Sequence, residues 1–254
     1  MDFKLNLHEG IEYISRHIRL NNDWEPTTTE IILELLKNAT PDTIFVDIGA
    51  NIGYFSMLVA SKKFPVVAFE PVEANYSLLK KSIADNNFQH LISTHQTFLS
   101  DKKEEIIVNV SENNMGLCSS RKLLEFDFSY SEKHMSDILD TFFGINTINN
   151  LIMKIDVEET EKNVLYGMED TMRSGKVSNI IIEICRYDIE IFNFFRKHGF
   201  NTCVIIGDAE HISVNSGYTN YVTIKNYKCT IDEMELIYKS NPITMLMLLF
   251  SKSL

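Results

Sequence analysis

Short apolar runs rich in β-branched residues alternate with amphipathic helical segments along most of the chain. This alternation is typical of βαβ units, in which helices connect the strands of a parallel sheet. The predicted strands are 43–47, 66–70, 93–99, 151–156 and 179–184, and the predicted helices between them are 54–62, 73–86, 161–172 and 187–198. The pattern therefore predicts an α/β fold with a parallel central sheet.

Three segments depart from this alternation. Residues 1–41 form a predicted N-terminal helical arm, and residues 229–254 form a predicted C-terminal helical tail. The predicted domain between them, residues 42–228, contains an insert over 104–150. This insert holds a predicted strand, EIIVNV, an irregular segment, SENNMGLCSSRK, and a predicted helix around SDILDTFFG. Long connections in a compact domain are usually functional or disordered, so the insert is expected to face a substrate.

Apolar runs in the last quarter of the chain give two more expectations. The runs CVIIG (203–207) and YVTIK (221–225) are predicted strands that pair with each other across the polar loop between them. The run ITMLMLLF (243–250) is expected to pack on the domain or on a second subunit, as in a homodimer. It is far shorter than the roughly 20 residues that span a bilayer, so no membrane span is predicted.

The composition is acidic, with 24 lysine and arginine residues against 35 aspartate and glutamate residues and a formal charge of -11. Such a charge repels phosphate backbones and anionic lipids, so nucleic acid is not an expected partner. The four cysteines form no CxxC pair, and the N-terminus lacks the features of a signal peptide. These observations predict a cytoplasmic protein with reduced thiols.

The stretch TIFVDIGANIGYF joins the first predicted strand to the first helix of the domain. The strand ends in Asp47 and turns through Gly49 and Gly53, which places backbone amides where doubly wound sheets bind ligands. Glycine at 49 would let the backbone turn tightly and approach a ligand, and glycine at 53 would let the helix pack closely on the strand. Glu70 ends the next strand, where a carboxylate can bind a ribose diol.

This arrangement predicts a nucleotide-like ligand, and both NAD and S-adenosylmethionine fit it. Asp47 favours S-adenosylmethionine, because an acid suits the ammonium of a methionine group better than it suits a pyrophosphate. A plain turn whose glycines serve only packing is the third interpretation.

Four sequence blocks resemble the FkbM-like S-adenosylmethionine-dependent methyltransferases. The blocks are VDIGANIGYFS (46–56), VVAFEPVEANYSLLKKSIADNN (66–87), LIMKIDVEETEKNVLYGM (151–168) and NIIIEI (179–184), with weaker similarity at DWEP (23–26). The resemblance implies a Rossmann-like class I methyltransferase fold: a seven-stranded, mostly parallel sheet with helices on both faces and one antiparallel strand, here YVTIK. It also implies S-adenosylmethionine as cofactor and a small-molecule or glycan hydroxyl as acceptor, often on a sugar.

The resemblance further implies which residues bind the cofactor. They are Asp47, Gly49, Asn51 and Gly53 at the methionine end, Glu70 at the ribose, and Ser100 and Asp101 at the adenine. Asn75 matches a family asparagine on the helix after Glu70, and bracing the loop after Glu70 is its alternative role.

Methylation of a hydroxyl needs a base, and KIDVEETE supplies carboxylates at a strand end. Asp156 and Glu158 are the catalytic candidates, because crowded carboxylates raise one another's pKa. Together they could hold a divalent cation, although a metal is not the favoured interpretation. A solvated acidic turn, with Glu161 at a helix N-terminus, is the alternative. Glu183 could face the same cleft, and Lys154 is placed to pair with Asp156.

The chain departs from the family pattern at Glu159, where the family has glycine. A glutamate there would either point to solvent or intrude on the acceptor pocket. The departure keeps open a non-catalytic cofactor-binding or interaction protein of the same fold, and an NAD-dependent oxidoreductase is the second alternative.

Overall fold

The computed structural model describes residues 2–119, 128–143, 149–184, 186–206, 209–212, 222–224, 227–240 and 246–252. The α-helices are α1 (Tyr13–Asn21), α2 (Pro26–Lys37), α3 (Tyr54–Ser61), α4 (Glu73–Asp85), α5 (Glu161–Tyr166), α6 (Glu169–Arg173), α7 (Ile189–Lys197) and α8 (Ile231–Ser240). The strands are β1 (Thr43–Ile48), β2 (Val66–Phe69), β3 (Ile92–His95), β4 (Phe98–Leu99), β5 (Glu105–Ser111), β6 (Asn114–Ser119), β7 (Tyr130–Asp137), β8 (Asn150–Ile155), β9 (Val177–Ile184), β10 (Thr202–Ile206), β11 (Ala209–Ile212), β12 (Val222–Ile224), β13 (Tyr227–Thr230) and β14 (Leu246–Ser251).

The main sheet contains eight of the described strands, in the order β13, β10, β14, β9, β8, β1, β2, β3. Strand β1 is parallel to β2 and β8, and the parallel set continues to β3 and β9. Strand β14 is antiparallel to β9 and β10, and β13 is antiparallel to β10. The predicted Rossmann-like, mostly parallel sheet is confirmed, with two antiparallel strands among eight instead of one among seven.

The C-terminal region accounts for this difference. The end of the apolar run ITMLMLLF is β14, which lies inside the sheet between β9 and β10. A strand covered on both faces is apolar at successive positions, which explains the continuous run. The predicted helical tail, 229–254, therefore contains α8 and also strand residues. The division of the chain into arm, domain and tail stays a prediction.

Strand pairing in the same region differs from the prediction. CVIIG (β10) pairs with β13 and β14, so its predicted pairing with YVTIK is wrong. The described part of YVTIK is β12, which pairs with β11 in a separate two-stranded ladder. YVTIK is therefore not the antiparallel strand of the main sheet.

Three strands of the insert, together with β4 just before it, form a second, smaller sheet in the order β4, β7, β5, β6. The helix predicted around SDILDTFFG is wrong, because the segment begins in β7 and continues into a 3₁₀ turn over Leu139–Thr141. Side-chain exposure alternates along most of β7, which is the period of a strand. Strand β6 occupies part of the segment expected to be irregular, and residues 120–127 lie outside the described residues.

Helices cover both faces of the main sheet, as predicted. One apolar cluster packs α5, α6, α7 and α8 on one face, and a second packs α1, α2, α3 and α4 on the other. The arm belongs to the second cluster, in which Ile32 of α2 is fully buried. Within the described residues, the structure contains no helix with the length and apolarity needed to cross a bilayer.

Two of the four cysteines lie side by side in the sheet. Cys203 and Cys229 are register partners in β10 and β13, and both are buried free thiols with their Sγ atoms 3.7 Å apart. The predicted buried position is confirmed for these two residues, and their reduced state in the cell stays a prediction. Nothing is described for the side chains of the other two, Cys118 and Cys185.

Candidate active site

A cavity of about 390 Å³ lies at the carboxyl ends of β1, β2, β8 and β9. The turn after β1 (residues 49–52) and the loop after β8 (156–158) form its floor. Its roof comes from α1 and the segment before α2, where Tyr13 and Trp24 contact each other edge to face. Ligands of open α/β sheets bind at this edge of the sheet, so the cavity is the candidate active site.

The two glycines of the turn are required by packing. Gly49 has a φ of 79°, and a Cβ atom there would overlap the backbone carbonyl oxygen of Asp156. Gly53 has a φ of 89° and begins α3, and a Cβ atom there would overlap the side chain of Leu79 in α4. Gly49 therefore lets β1 and the loop after β8 approach each other. Gly53 makes room for a neighbouring helix, whereas the predicted contact was with the strand.

Glu70 links the turn to the next loop and lines the cavity. Its Oε2 accepts a hydrogen bond from the Asn51 backbone N–H at 2.8 Å, and its Oε1 accepts from the Val72 N–H and the Asn75 side chain. Burial raises the pKa of Glu70 to about 7, against the effect of these donors. A carboxylate has about four acceptor positions, so one remains for a ligand hydroxyl.

Asn75 braces the part of the cavity around Glu70. Its amide donates to Glu70 and to the Met115 carbonyl oxygen, and its Oδ1 lies 2.7 Å from His8 Nε2. Asn51 donates to the same Met115 oxygen. The second sheet is thereby joined to the turn after β1, and the bracing role considered for Asn75 agrees with these bonds.

Asp47 lies behind the cavity wall. It is almost fully buried, and its Oδ2 accepts a 2.6 Å hydrogen bond from Ser56 Oγ. Its Oδ1 is buried without a hydrogen-bond partner among the described residues. Burial raises the pKa of Asp47, although Lys154 acts in the opposite direction. A cationic ligand at the turn would offset this buried charge.

Ser100 and Asp101 are not among the residues that line the cavity. Ser100 is buried, donates a hydrogen bond to Asp101, and packs its carbonyl oxygen against Gly167. The structure therefore does not bring these two residues together with the rest of the predicted site. Their adenine-binding role stays a prediction.

A buried ion pair marks the other end of the cavity. Lys154 Nζ donates to Asp156 Oδ2 at 2.8 Å and lies 4.9 Å from the centre of the Phe55 ring. Burial opposes the charge on Lys154, but Asp156, Glu25 and Asp47 outweigh it and raise the lysine pKa. Burial likewise opposes ionisation of Asp156, but Lys154 holds the pKa of Asp156 below its usual range. Both members of the pair are charged at neutral pH.

Two further carboxylates surround this pair. Burial, with the nearby Asp156, raises the pKa of Glu158 to about 8 and that of Glu183 to about 10. Carboxylate oxygens of Asp156, Glu158 and Glu183 lie within 4.8 Å of one another, a spacing that a metal ion could also use. Lys154 already supplies one cation to this group.

The loop after β8 has an uncommon backbone. Glu158 and Glu159 have φ angles of 51° and 72°, in the left-handed region that non-glycine residues rarely occupy. The Glu158 side chain lines the cavity, whereas that of Glu159 is not among the lining residues and pairs with Arg186. Glu159 therefore keeps the backbone that a glycine would adopt, and its side chain does not enter the cavity.

Glu25 is the charged cavity residue that the sequence did not single out. It lies between α1 and α2, far along the chain from the other carboxylates, and it lines the cavity beside Lys154. The weak similarity at DWEP was the only sequence signal for it. His134 lies in the second sheet, 2.9 Å from Glu132, and is not among the residues that line the cavity.

A family model and two of the sequence relatives identify methyltransferases. A family model described as the methyltransferase FkbM domain matches residues 47–202. The chain is 24% identical over 186 residues to Methyltransferase 1 of Beauveria bassiana, covering 61% of this chain and 71% of that protein. It is 24% identical over 181 residues to Methyltransferase sdnD of Sordaria araneosa, covering 58% and 68%.

Solved structures include a distant match, the magnesium protoporphyrin IX methyltransferase (ChlM) from Synechocystis PCC 6803 with bound SAM. It matches with a TM-score of 0.46 and 10% identity, over 96% of this chain and 86% of that chain. The family match is the stronger finding, because it covers more than half of the chain and includes Asp47, Glu70 and the loop after β8.

Proposed function

Because the chain belongs to the FkbM methyltransferase family, we propose that it methylates a hydroxyl group, on a sugar or another glycan-like acceptor. The chain is an S-adenosylmethionine-dependent methyltransferase. The interpretation as an NAD-dependent oxidoreductase, which the glycine turn had left open, is therefore set aside. The acceptor atom and the acceptor molecule are the parts of this function that we propose.

The residues of the cavity suit S-adenosylmethionine. Glu70 keeps an acceptor position for a ribose hydroxyl, and the buried, unpartnered Oδ1 of Asp47 lies under the turn expected to hold the cationic methionine end. The N-terminus of α3 has no side-chain cap and its first residues, Tyr54 and Phe55, line the cavity, so it offers backbone donors to a carboxylate. When bound, S-adenosylmethionine supplies an electrophilic methyl group.

The environment of Glu158 is the main support for a hydroxyl acceptor. Its side chain lines the cavity, and burial and nearby carboxylates raise its pKa to about 8. A general base works best when its pKa is near the working pH, because it is then partly ionised and still binds a proton well. Glu158 is therefore placed to take the hydroxyl proton of the acceptor.

Asp156 has a different role in this proposal. Its low pKa makes it a weak base, and one of its oxygens is held by Lys154. The ion pair fixes the end of β8 and keeps a negative charge beside Glu158, which helps to raise the pKa of Glu158. Asp156 is a positioning residue, and Glu158 is the catalytic one.

Two observations support an acceptor with several hydroxyls and no negative charge, such as a sugar. The cavity is lined by Glu25, Asp156, Glu158 and Glu183, so an anionic acceptor would be repelled. Carboxylates are also good acceptors for the several hydroxyls of a polyol. The non-catalytic alternative rested on Glu159, and its side chain does not line the cavity.

The test is transfer of a labelled methyl group from S-adenosylmethionine to sugars, amino sugars and their glycosides, each paired with the analogue that lacks one hydroxyl. We expect a methyl ether on a defined hydroxyl and no product from the matching deoxy compound. Methylation at nitrogen or carbon, or cofactor binding with no transfer to any hydroxyl of the panel, would overturn the proposal.

A further inference from the structure

A second cavity, of about 260 Å³, adjoins the first. The two cavities share Glu25 and Glu183, which stand at the boundary between them. The remaining wall of the second cavity includes Thr27 and Thr28 of α2 on one side, and Ile206 and Met247 of the main sheet on the other. A molecule reacting at Glu158 could extend past this boundary.

Strand register explains how the sheet side of the second cavity is built. Met247 in β14 is the register partner of Glu183 in β9, and Ile206 in β10 is the register partner of Met247. Register partners on neighbouring strands point to the same face of a sheet. Glu183, Met247 and Ile206 therefore form one continuous strip, which begins with a carboxylate and becomes apolar away from the first cavity.

The opposite wall carries a carboxylate that the protein leaves partly unsatisfied. Glu25 precedes α2 with a φ of 42°, and its Oε2 is buried without a hydrogen-bond partner among the described residues. A buried polar atom without a partner is costly, so a ligand that supplies one is favoured. The second cavity is thus flanked by Glu25 and Glu183 at its polar end.

Lys154 acts on both of these carboxylates, but it donates its hydrogen bond to Asp156 and balances them only in part. Consistent with this, burial raises the pKa of Glu25, and burial with Asp156 raises the pKa of Glu183 to about 10. A positive charge placed between the two side chains would favour their ionised forms, whereas an anion would be repelled.

We propose that the second cavity binds a part of the acceptor that carries an ammonium group next to an apolar group, with the ammonium between Glu25 and Glu183 and the apolar group on Met247 and Ile206. The acceptor would then be an amino sugar or another amino alcohol with an apolar substituent. This inference rests on the proposed function for the hydroxyl that is methylated, but the binding of the ammonium group can be tested separately.

Three probes of similar shape but different charge test whether the second cavity requires a positive charge: hexylammonium, 1-hexanol and hexanoate. Each is titrated into the protein saturated with S-adenosylhomocysteine, and binding is followed by calorimetry or ligand-observed NMR. We expect hexylammonium to bind at least tenfold more tightly than hexanol, and hexanoate to bind more weakly than hexanol. Equal affinities, a preference for hexanoate, or no binding of hexylammonium would overturn the proposal.

Variants locate the binding site. Thr27→Trp should fill the second cavity and abolish hexylammonium binding, while Glu30→Trp, with the same bulk on an exposed position of α2, should not. Glu25→Gln should reduce the affinity for hexylammonium to near that for hexanol. Unchanged hexylammonium binding in Thr27→Trp would place the probe elsewhere and contradict the proposal.

The affinity for S-adenosylhomocysteine distinguishes this inference from the proposed function. Thr27 lines only the second cavity, so Thr27→Trp should bind S-adenosylhomocysteine as the unchanged protein does. If hexylammonium binds as expected but no hydroxyl is methylated, the proposed function fails and the ammonium site stands. If hydroxyls are methylated but charge does not affect binding, the ammonium site fails and the proposed function stands.

Discussion

Glu159 and Arg186 join the loops that follow β8 and β9, with Glu159 Oε1 lying 2.8 Å from Arg186 Nε. The pair draws the Glu159 side chain out of the acceptor pocket, although its backbone is in a conformation that favours glycine. A residue that departs from the family pattern is therefore accommodated by a partner on a neighbouring loop.

Glu159→Gly should change the free energy of unfolding by less than about 1 kcal/mol, because relief of the positive φ offsets loss of an ion pair whose arginine is exposed. Glu159→Ala removes the same ion pair but keeps a side chain at positive φ, so it should be the less stable of the two by about 1 kcal/mol. Urea unfolding of both variants measures the difference. An alanine variant as stable as the glycine variant would show that the backbone here is not strained.

Gly49→Ala should be far more damaging than Gly175→Ala, although both glycines have positive φ. At Gly175 the added Cβ meets nothing within 4 Å, so only the backbone preference is lost, about 1 kcal/mol. At Gly49 the Cβ would overlap the Asp156 carbonyl oxygen, and the end of β8 must shift. For Gly49→Ala we therefore expect a further loss of stability, measured by urea unfolding. We also expect cofactor binding to weaken by tenfold or more, measured by calorimetry. Equal effects at both positions would contradict the close approach of β1 and β8.

Lys154→Met should destabilise the protein by about 3–5 kcal/mol at pH 7, because it leaves buried carboxylates without a counter-charge. In the unchanged protein, Lys154 keeps the folded-state pKa of Asp156 below its unfolded value. Ionised Asp156 therefore adds to the free energy of unfolding above the unfolded pKa, and this contribution is lost as the pH falls. In Lys154→Met, the folded-state pKa of Asp156 rises above its unfolded value. The folded state then binds more protons than the unfolded state, so the free energy of unfolding falls as the pH rises. Urea unfolding at pH 5 and pH 7 should show the smaller loss at pH 5.

Lys162→Met is the matched control for that experiment. Lys162 is about one-third exposed and pairs with Asp188 and Glu190 at the surface. Its loss should cost less than about 1 kcal/mol at either pH. A loss at Lys154 no larger than this would mean that the ion pair is not needed to balance the site.

Glu158→Gln should lower turnover by about 10²- to 10⁴-fold and leave S-adenosylhomocysteine affinity nearly unchanged. In the unchanged enzyme the base must be ionised, so kcat/KM should rise as the pH rises through about 8, the pKa of Glu158. Glu159→Gln is the neighbouring control, since its side chain does not line the cavity. A pH profile that stays flat through this range would remove Glu158 as the base.

Removal of divalent metal should leave both cofactor binding and methyl transfer unchanged. Lys154 already bonds to Asp156, the carboxylate of the cluster with a lowered pKa, so the best ligand for a cation is occupied. Activity is measured before and after treatment with EDTA, with magnesium added back. Loss of activity that magnesium restores would assign the Asp156, Glu158 and Glu183 cluster to a metal instead.

The sequence predicted the parts of the site that depend on local pattern. The strand, turn and helix around Gly49 and Gly53, and the acids at the ends of β1 and β8, follow from short-range patterns and glycine chemistry, and their resemblance to the FkbM family is confirmed. The parts that were missed depend on long-range contacts. Glu25 reaches the site only because the arm packs on the sheet, and Met247 only because β14 enters between two distant strands.

The insert shows a second limit of local pattern. Its residues around β7 contain both polar alternation and an apolar cluster that is compatible with a helix. The segment forms a strand instead of a helix because β7 pairs with β5, and this pairing joins positions far apart in the sequence. Ser100 and Asp101 were assigned by family position, and the bend that turns them away from the cavity has no sequence signal that we could identify.

Strand β14 lies between β9 and β10 but follows both of them along the chain. A ribosome therefore makes β9 and β10 while the strand that separates them does not yet exist. During that interval both strands present open backbone edges, and such edges readily pair with other chains. The nascent protein is thus most exposed to misassembly while residues 207–245 are being translated, and its yield in cells should respond to chaperone supply and to translation speed over that stretch.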